Sequence, residues 1–391
     1  MRVLYSITAY PPSVGGAQVH THLLAQNIDA DAVQVVCHWD QNRSDWFLGT
    51  TLKQPPAHNY CIEGVPVHRL GLSLVEKLRI LPWLPLYYPL MSVALPAIAR
   101  VLEPHIYVWA QSVDLIHNVR VGREPLSYAS FEIAAQQQIP VVLTPLHHPR
   151  WVGWRYRSYV ELYRRADAVL ALTGSEKRTL MMLGVAESRI HITGIGPVLA
   201  SAAHPQQCQQ RHQVQGPIVL FLGQHYGYKG YRQLLQATAL VWHRHPDVAF
   251  VFLGPQVKNS YQVFAAYPDP RIHCLGTVDL QTKTDFLAAC YTLCVPSSQE
   301  SFGGVYTEAW NFEKPVIGGM APAIADVITE GKDGFLVNQD PAEIADRIIY
   351  LLDHPLEAAA MGRAGKAKVT ANYTWPKIAE KTLRVYAQVC Q

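Results

Sequence analysis

The sequence predicts an α/β protein of two Rossmann-like, doubly wound domains facing a central cleft. Three observations predict it. Short β-branched runs alternate with helix-length segments, the pattern of parallel sheets covered by helices. These runs fall into two series separated by a polar stretch, and 391 residues are too many for one ordinary core. Loops carrying paired glycines, histidines or a lysine follow several of the strands, where ligands of open α/β sheets bind.

The first strand, RVLYSI from 2, runs into AYPPSVGGAQVHTHLLA. There Gly15 and Gly16 precede a helix with apolar Val19, Leu23 and Leu24. Two glycines let the backbone pass close to a phosphate or sugar at a helix start, and a turn needing positive φ explains them equally. MRVLYSITAYPP is too soon broken by proline for a signal peptide and reads as that strand. VQVVCH from 33 and VPVHRL from 65 follow. From Ile80 to Ala99 no side chain is charged, but Pro82, Pro85, Pro89 and Pro96 argue against a membrane span and for an irregular apolar helix or loop. Flanking Lys77, Arg79 and Arg100 suit contact with a membrane surface or a lipid-linked acceptor, and a plain buried element explains the segment at least as well.

DLIHNV from 114 and the residues after it bring His117, Asn118, Arg120, Arg123 and Glu124 together as a polar group for an acceptor. VVLTPL from 141 ends in LTPLHHPRW, placing His147 or His148 where a histidine can hold a sugar hydroxyl or do acid/base work, with Arg150 beside them. DAVLAL from 167 and RIHITG from 189 complete the first series, and SAAHPQQCQQRHQVQG, 201 to 216, reads as a linker.

The second series is IVLFLG from 218, VAFVFLG from 248, RIHCLG from 271, YTLCVP from 291, PVIGG from 315 and GFLV from 334. Its first strand leads to FLGQHYGYKGYRQLL, where Lys229 is placed to neutralise a departing diphosphate. Its fourth leads to PSSQESFGGVYTEAW, the most informative segment of the chain. Glu300 lies just before a helix begun by Phe302, Gly303, Gly304 and Val305, and Glu308 lies one turn further on. The amides of that turn can receive phosphate or sugar oxygens, and the two carboxylates can accept hydrogen bonds from sugar and ribose hydroxyls. An acidic first turn is favoured by the helix dipole alone, but glycine there costs up to about 1 kcal/mol relative to alanine.

Composition excludes other classes. Hydrophobic residues make up 49% and charged ones 16%, and a net charge of +3 without a Lys/Arg run gives nucleic acid no binding stripe. Seven scattered cysteines fit a reducing cytoplasm better than a disulfide framework.

With these motifs the chain resembles the retaining GT-B glycosyltransferases of family 4, from Gly15 and Gly16 to YTWPKIAEKTLRVY near the end. The resemblance implies that Glu300 contacts the donor sugar, the amides of Phe302 to Val305 the sugar and diphosphate, and Glu308 the ribose. It makes Lys229 the diphosphate lysine and His147 the best match to a cleft histidine. It implies domains at 1–198, completed by a helix at 375–391 that crosses back, and 199–374. A nucleotide-diphosphate-sugar is then the co-substrate, no cofactor or metal is needed, and the departing phosphate takes the acceptor's proton on the same face. The acceptor is a glycan or lipid-linked glycan, and the protein is cytoplasmic, with peripheral membrane contact. One departure stands out, since Gln224 occupies the place of a usual arginine, leaving Lys229 as the main cation unless Arg232, Arg150 or His225 substitutes. A nucleotide-sugar-binding protein without turnover, or a sugar-nucleotide epimerase, is the alternative.

Overall fold

A computed structural model describes residues 1–13, 15–28, 33–40, 55–119, 125–147, 153–257 and 259–391. It divides the chain into two units, Met1–Gly194 with Trp375–Gln391, and Ile195–Thr374.

Unit 1 is built on eight strands: β1 (Val3–Ala9), β2 (Val33–Trp39), β3 (His58–Ile62), β4 (Val65–Arg69), β5 (Leu115–Val119), β6 (Val141–Thr144), β7 (Ala168–Ala171) and β8 (Ile190–Ile192). They lie in the order β3-β4-β2-β1-β5-β6-β7-β8, and every pairing is parallel except β3 with β4. All of β1 is buried, as a central strand covered on both faces must be. Strand β3 is the one the sequence pattern misses. It is a mostly exposed edge strand that begins with polar His58 and Asn59, joined to β4 through Glu63 and Gly64 at φ +48° and +85°. Positive φ at both central residues is what a tight two-residue hairpin requires.

Of the two forms expected for the apolar segment, an irregular helix or a loop, its second half takes the helix. After a short turn at Leu81–Trp83, Met91–Ala110 forms one 20-residue helix with Pro96 and Pro104 inside it. Each proline costs a helix about 3 kcal/mol. Met91, Leu95, Ile98, Leu102 and Ile106 are buried along one side, at ~1.5–3 kcal/mol each, which outweighs that cost. No helix among the described residues is long and apolar enough to cross a membrane.

Unit 2 carries β9 (Ile218–Leu222), β10 (Ala249–Leu253), β11 (Ile272–Gly276), β12 (Thr292–Val295), β13 (Val316–Gly319) and β14 (Gly334–Val337). Their order is β11-β10-β9-β12-β13-β14, all parallel. The polar stretch before β9 is not structureless, since Pro205–Arg211 forms a short helix with proline at its start and Cys208 buried. Strand order reverses between β1 and β5 in unit 1 and between β9 and β12 in unit 2, so a ligand crevice is expected beyond the carboxyl ends of each of these pairs.

Candidate active site

In unit 2 the two loops at the point of reversal are tied together through one carbonyl. Tyr228 C=O accepts from Ser298 N–H at 2.8 Å and from Gln339 Nε2 at 2.8 Å. Gln339 Nε2 also donates to Pro296 C=O at 2.8 Å. Gly230 has φ +81°, and a Cβ there would lie 2.5 Å from Pro296 O, so only glycine lets the β9 loop come this close to the β12 loop. The result is that Lys229 Nζ and Glu300 Oε1 form an ion pair, with side chains 18% and 15% exposed. Gln339 had no sequence signal, because it follows β14 and reaches the site only through the fold.

Helix Gly304–Asn311 begins beside this pair. Its N-cap, Gly303, has φ +86°, and a Cβ there would meet the Tyr306 ring at 2.4 Å. Tyr306 is fixed in turn by its hydroxyl donating to Val295 C=O at 2.7 Å. Gly304 has only an ordinary contact, 3.8 Å to Ile195 Cγ2, so packing does not require glycine there. Among the described residues the amides of Phe302, Gly303, Gly304 and Val305 donate no hydrogen bond, and no side chain caps this helix. A helix start of this kind can accept an anion. Phe302 itself is buried, edge-on to Tyr373.

Glu308, on the same helix, is 6% exposed. Its Oε1 accepts from Lys283 Nζ at 2.9 Å and from Val198 N–H at 3.4 Å, while its buried Oε2 has no partner among the described residues. Burial pushes its pKa up, and Lys283 works against that. Lys283 was not anticipated from sequence, where a lysine in the first turns of Leu280–Ala289 looks like any solvated helix residue.

The residues that could add positive charge beside Lys229 are differently placed. Gln224 is exposed. Arg232 turns to the Tyr231 hydroxyl at 3.1 Å. His225 is buried, stacked on Tyr231 and packed against Phe221 and Phe264, and burial lowers its pKa to about 4. It is neutral at physiological pH and supplies no charge, which corrects its placement among the substitutes. Arg150 lies outside the described residues, as do His148, Arg120, Arg123 and Glu124.

In unit 1, Gly15 is the extended N-cap of helix Gly16–Asn27, with φ −173°, and a Cβ on Gly16 would meet nothing within 4 Å. Neither glycine is required by a left-handed turn. His147 follows β6 and is 5% exposed; its amide donates to Glu176 Oε1 at 2.7 Å and its Nδ1 lies 3.3 Å from the Tyr163 hydroxyl. Glu176 also accepts from Leu172 N–H, and its burial pushes its pKa up to about 7.

His117 and Asn118 do not form an acceptor surface. His117 is fully buried in β5, its Nδ1 2.5 Å from the Tyr386 hydroxyl and its Nε2 2.7 Å from Thr144 Oγ1. Asn118 Nδ2 donates to Ser6 O at 3.2 Å and Oγ at 3.1 Å. The strand points both side chains into the core, and a polar run at a strand end does not reveal which way its residues face. His117 with Tyr5 and Tyr386 instead pins helix Trp375–Val389 to the sheet of unit 1.

Residues 15–196 match the glycosyl transferase 4-like domain, and residues 216–354 match the glycosyl transferases group 1 domain. Spore coat protein SA of Bacillus subtilis is 29% identical over 185 residues, covering 43% of this chain and 48% of that one. A phosphatidyl-myo-inositol mannosyltransferase of Mycobacterium tuberculosis is 32% identical over 182 residues, 45% of this chain and 48% of that one. The chain thus spans about half the length of the curated relatives it matches. Anabaena HepE, solved in complex with UDP-glucose, shares the fold with a TM-score of 0.76 at 17% identity, over 99% of this chain and 100% of that one. With one model matched in each unit and two Rossmann-like sheets of the GT-B kind, the chain belongs to the group 1, family-4-type glycosyltransferases.

Proposed function

We propose that the protein transfers a sugar from a nucleotide-diphosphate-sugar to an acceptor, with retention of anomeric configuration and without a metal ion. The observation that carries this reading is the Lys229–Glu300 pair at the strand-order reversal of unit 2, beside a helix start whose amides have no partners among the described residues. A diphosphate draws Lys229 away from Glu300 and takes hydrogen bonds from the amides of Phe302 to Val305. Glu300, released, accepts from hydroxyls of the donor sugar, and Glu308 accepts from the ribose.

As the bond between the anomeric carbon and the diphosphate oxygen breaks, negative charge grows on the diphosphate, where Lys229 and the helix start stabilise it. The acceptor oxygen bonds to the anomeric carbon on the same face and gives its proton to the departing phosphate oxygen. Gly15, Gly16 and His147 are assigned to contact with the nucleotide-sugar as well, and Gly16 has open space around it.

The test is turnover with a panel of UDP-, GDP-, ADP- and TDP-sugars, reading transfer, slow hydrolysis and change of the nucleotide-bound sugar. Transfer supports the reading. Binding without turnover, or a changed sugar still on its nucleotide, replaces it with a binding protein or an epimerase. Activity lost to EDTA and restored by magnesium removes the metal-free mechanism.

For the acceptor we propose a lipid-linked glycan reached at a membrane surface. Leu74, Val75, Leu78, Leu81, Leu90 and Val93 are exposed in the stretch of chain that carries Lys77 and Arg79 and runs on to Arg100, and exposed apolar side chains near positive charge suit a membrane surface. Sedimentation with anionic vesicles should capture the protein, and Leu74→Ser with Leu78→Ser should release it; equal capture of both forms would assign these side chains elsewhere.

A further inference from the structure

Helix Leu280–Ala289 holds the chain entering unit 2 by a row of side chains. Lys283 Nζ donates to Val198 O at 2.6 Å, and Thr284 Oγ1 accepts from Ala200 N–H at 2.9 Å. Gln281 Nε2 donates to Ala202 O at 2.9 Å, and Asp285 Oδ1 accepts from His204 N–H at 2.7 Å. Alternate residues of the incoming segment are therefore bound by neighbouring residues of one helix. Three of these four contacts serve only that segment and the helix. Lys283 differs, because the same ammonium also holds Glu308 Oε1.

This leaves Glu308 with one oxygen held from two directions and the other buried without a partner among the described residues. A buried carboxylate oxygen with no donor is costly, and in a native protein it asks for an explanation. A ligand carrying hydroxyl donors would satisfy it. Were Lys283 absent, the carboxylate could rotate, lose its counter-charge and, being buried, tend to its neutral form.

Resting on the donor reading above, we infer that Lys283 is a positioning residue that sets the protein's preference for ribose. It clamps Glu308 Oε1 against Val198 so that Oε2 alone faces the ribose hydroxyls. Lys283 touches neither the sugar being transferred nor the diphosphate in this account. Its effect is confined to nucleotide affinity and to the discrimination between ribose and a sugar lacking those hydroxyls.

The experiment is calorimetric titration of the full chain with UDP, GDP and ADP and with their 2′,3′-dideoxy counterparts. Wild-type protein should prefer the ribose form of the nucleotide it binds by about tenfold or more, as for a hydrogen bond to a charged group. Lys283→Met should lose that preference by weakening the ribose form while leaving the dideoxy form unchanged, and Lys283→Arg should restore most of it. If Lys283→Met fails to fold because Glu308 is left uncompensated, Glu308→Gln is compared with Glu308→Gln/Lys283→Met, and the second change should add no further loss.

Equal weakening of both forms, an intact preference in Lys283→Met, or an added loss in the double variant overturns the inference while leaving the donor reading in place. Wild-type protein that binds none of the three nucleotides overturns the donor reading and this inference with it.

Discussion

Lys229 and Glu300 neutralise each other, so each limits what the other can do until a ligand separates them. Glu300→Gln should abolish transfer, by at least about a hundredfold if the sugar contact strengthens in the transition state, while nucleoside diphosphate affinity stays the same or tightens. Single-turnover kinetics with calorimetry would show both, and retained transfer would remove Glu300 from the chemistry. Lys229→Ala should lower the rate at saturating donor more than it weakens donor binding, because the charge it meets is greatest late in the reaction. Gln224 is exposed at the same loop, so Gln224→Arg should raise donor affinity or turnover. Unchanged kinetics in that variant would mean that Lys229 and the helix start already suffice.

At the scale of elements, the two glycine pairs that open helices are not equivalent. Gly303 is held in the left-handed region with the Tyr306 ring where a Cβ would go, whereas Gly16 has open space around it. Gly303→Ala should therefore cost stability, on the order of 1–3 kcal/mol, visible as a lower denaturant midpoint. Gly16→Ala should leave the midpoint within about 0.5 kcal/mol, or raise it, since alanine is the better helix former, and should lower donor affinity instead. A destabilised Gly16→Ala, or a Gly303→Ala as stable as wild type, would contradict this division. The proline-containing helix Met91–Ala110 teaches a related lesson, because its buried side overrides a local signal that argued for interruption.

Across the whole molecule, buried histidines should govern the acid limit of stability. Burial lowers His20 and His225 to about 4 and His117 to about 3, the last with help from neighbouring His20. Their folded pKa values lie below that of an unfolded histidine, about 6.5, so the unfolded state binds more protons between the two. Stability is thus fully present above about 6.5 and falls as pH drops towards 4, by about 1.4 kcal/mol per pH unit for each histidine. Glu176, raised to about 7 by burial, acts in the opposite sense over this window, because its protonated form is the better tolerated one. Comparing His225→Phe with wild type cancels that contribution. Urea titrations at pH 7, 6 and 5 should show a shallower loss in the variant, and parallel losses would mean that His225 is not neutral in the folded protein.

The sequence by itself determined the two parallel sheets, because a strand covered on both faces is written as a continuous apolar run and needs no long-range information to be recognised. It also singled out the carboxylates, glycines and lysine around 229 and 300–308 as candidates, since a helix start after a strand concentrates its polar groups within a few residues. The edge strand His58–Ile62 was not legible, for its residues are half polar and only pairing with Val65–Arg69 makes them a strand. Nor was the orientation of His117, which looks like a polar loop partner in one dimension and is a fully buried partner of Tyr386, 269 residues away, in three. Lys283, Gln339 and the carbonyl of Tyr228 likewise gain their roles from contacts spanning 25 to 111 residues of sequence. Period and propensity act over one or two turns of chain, whereas the polar atoms that bind and hold are chosen by which strands become neighbours, and only the tertiary structure decides that.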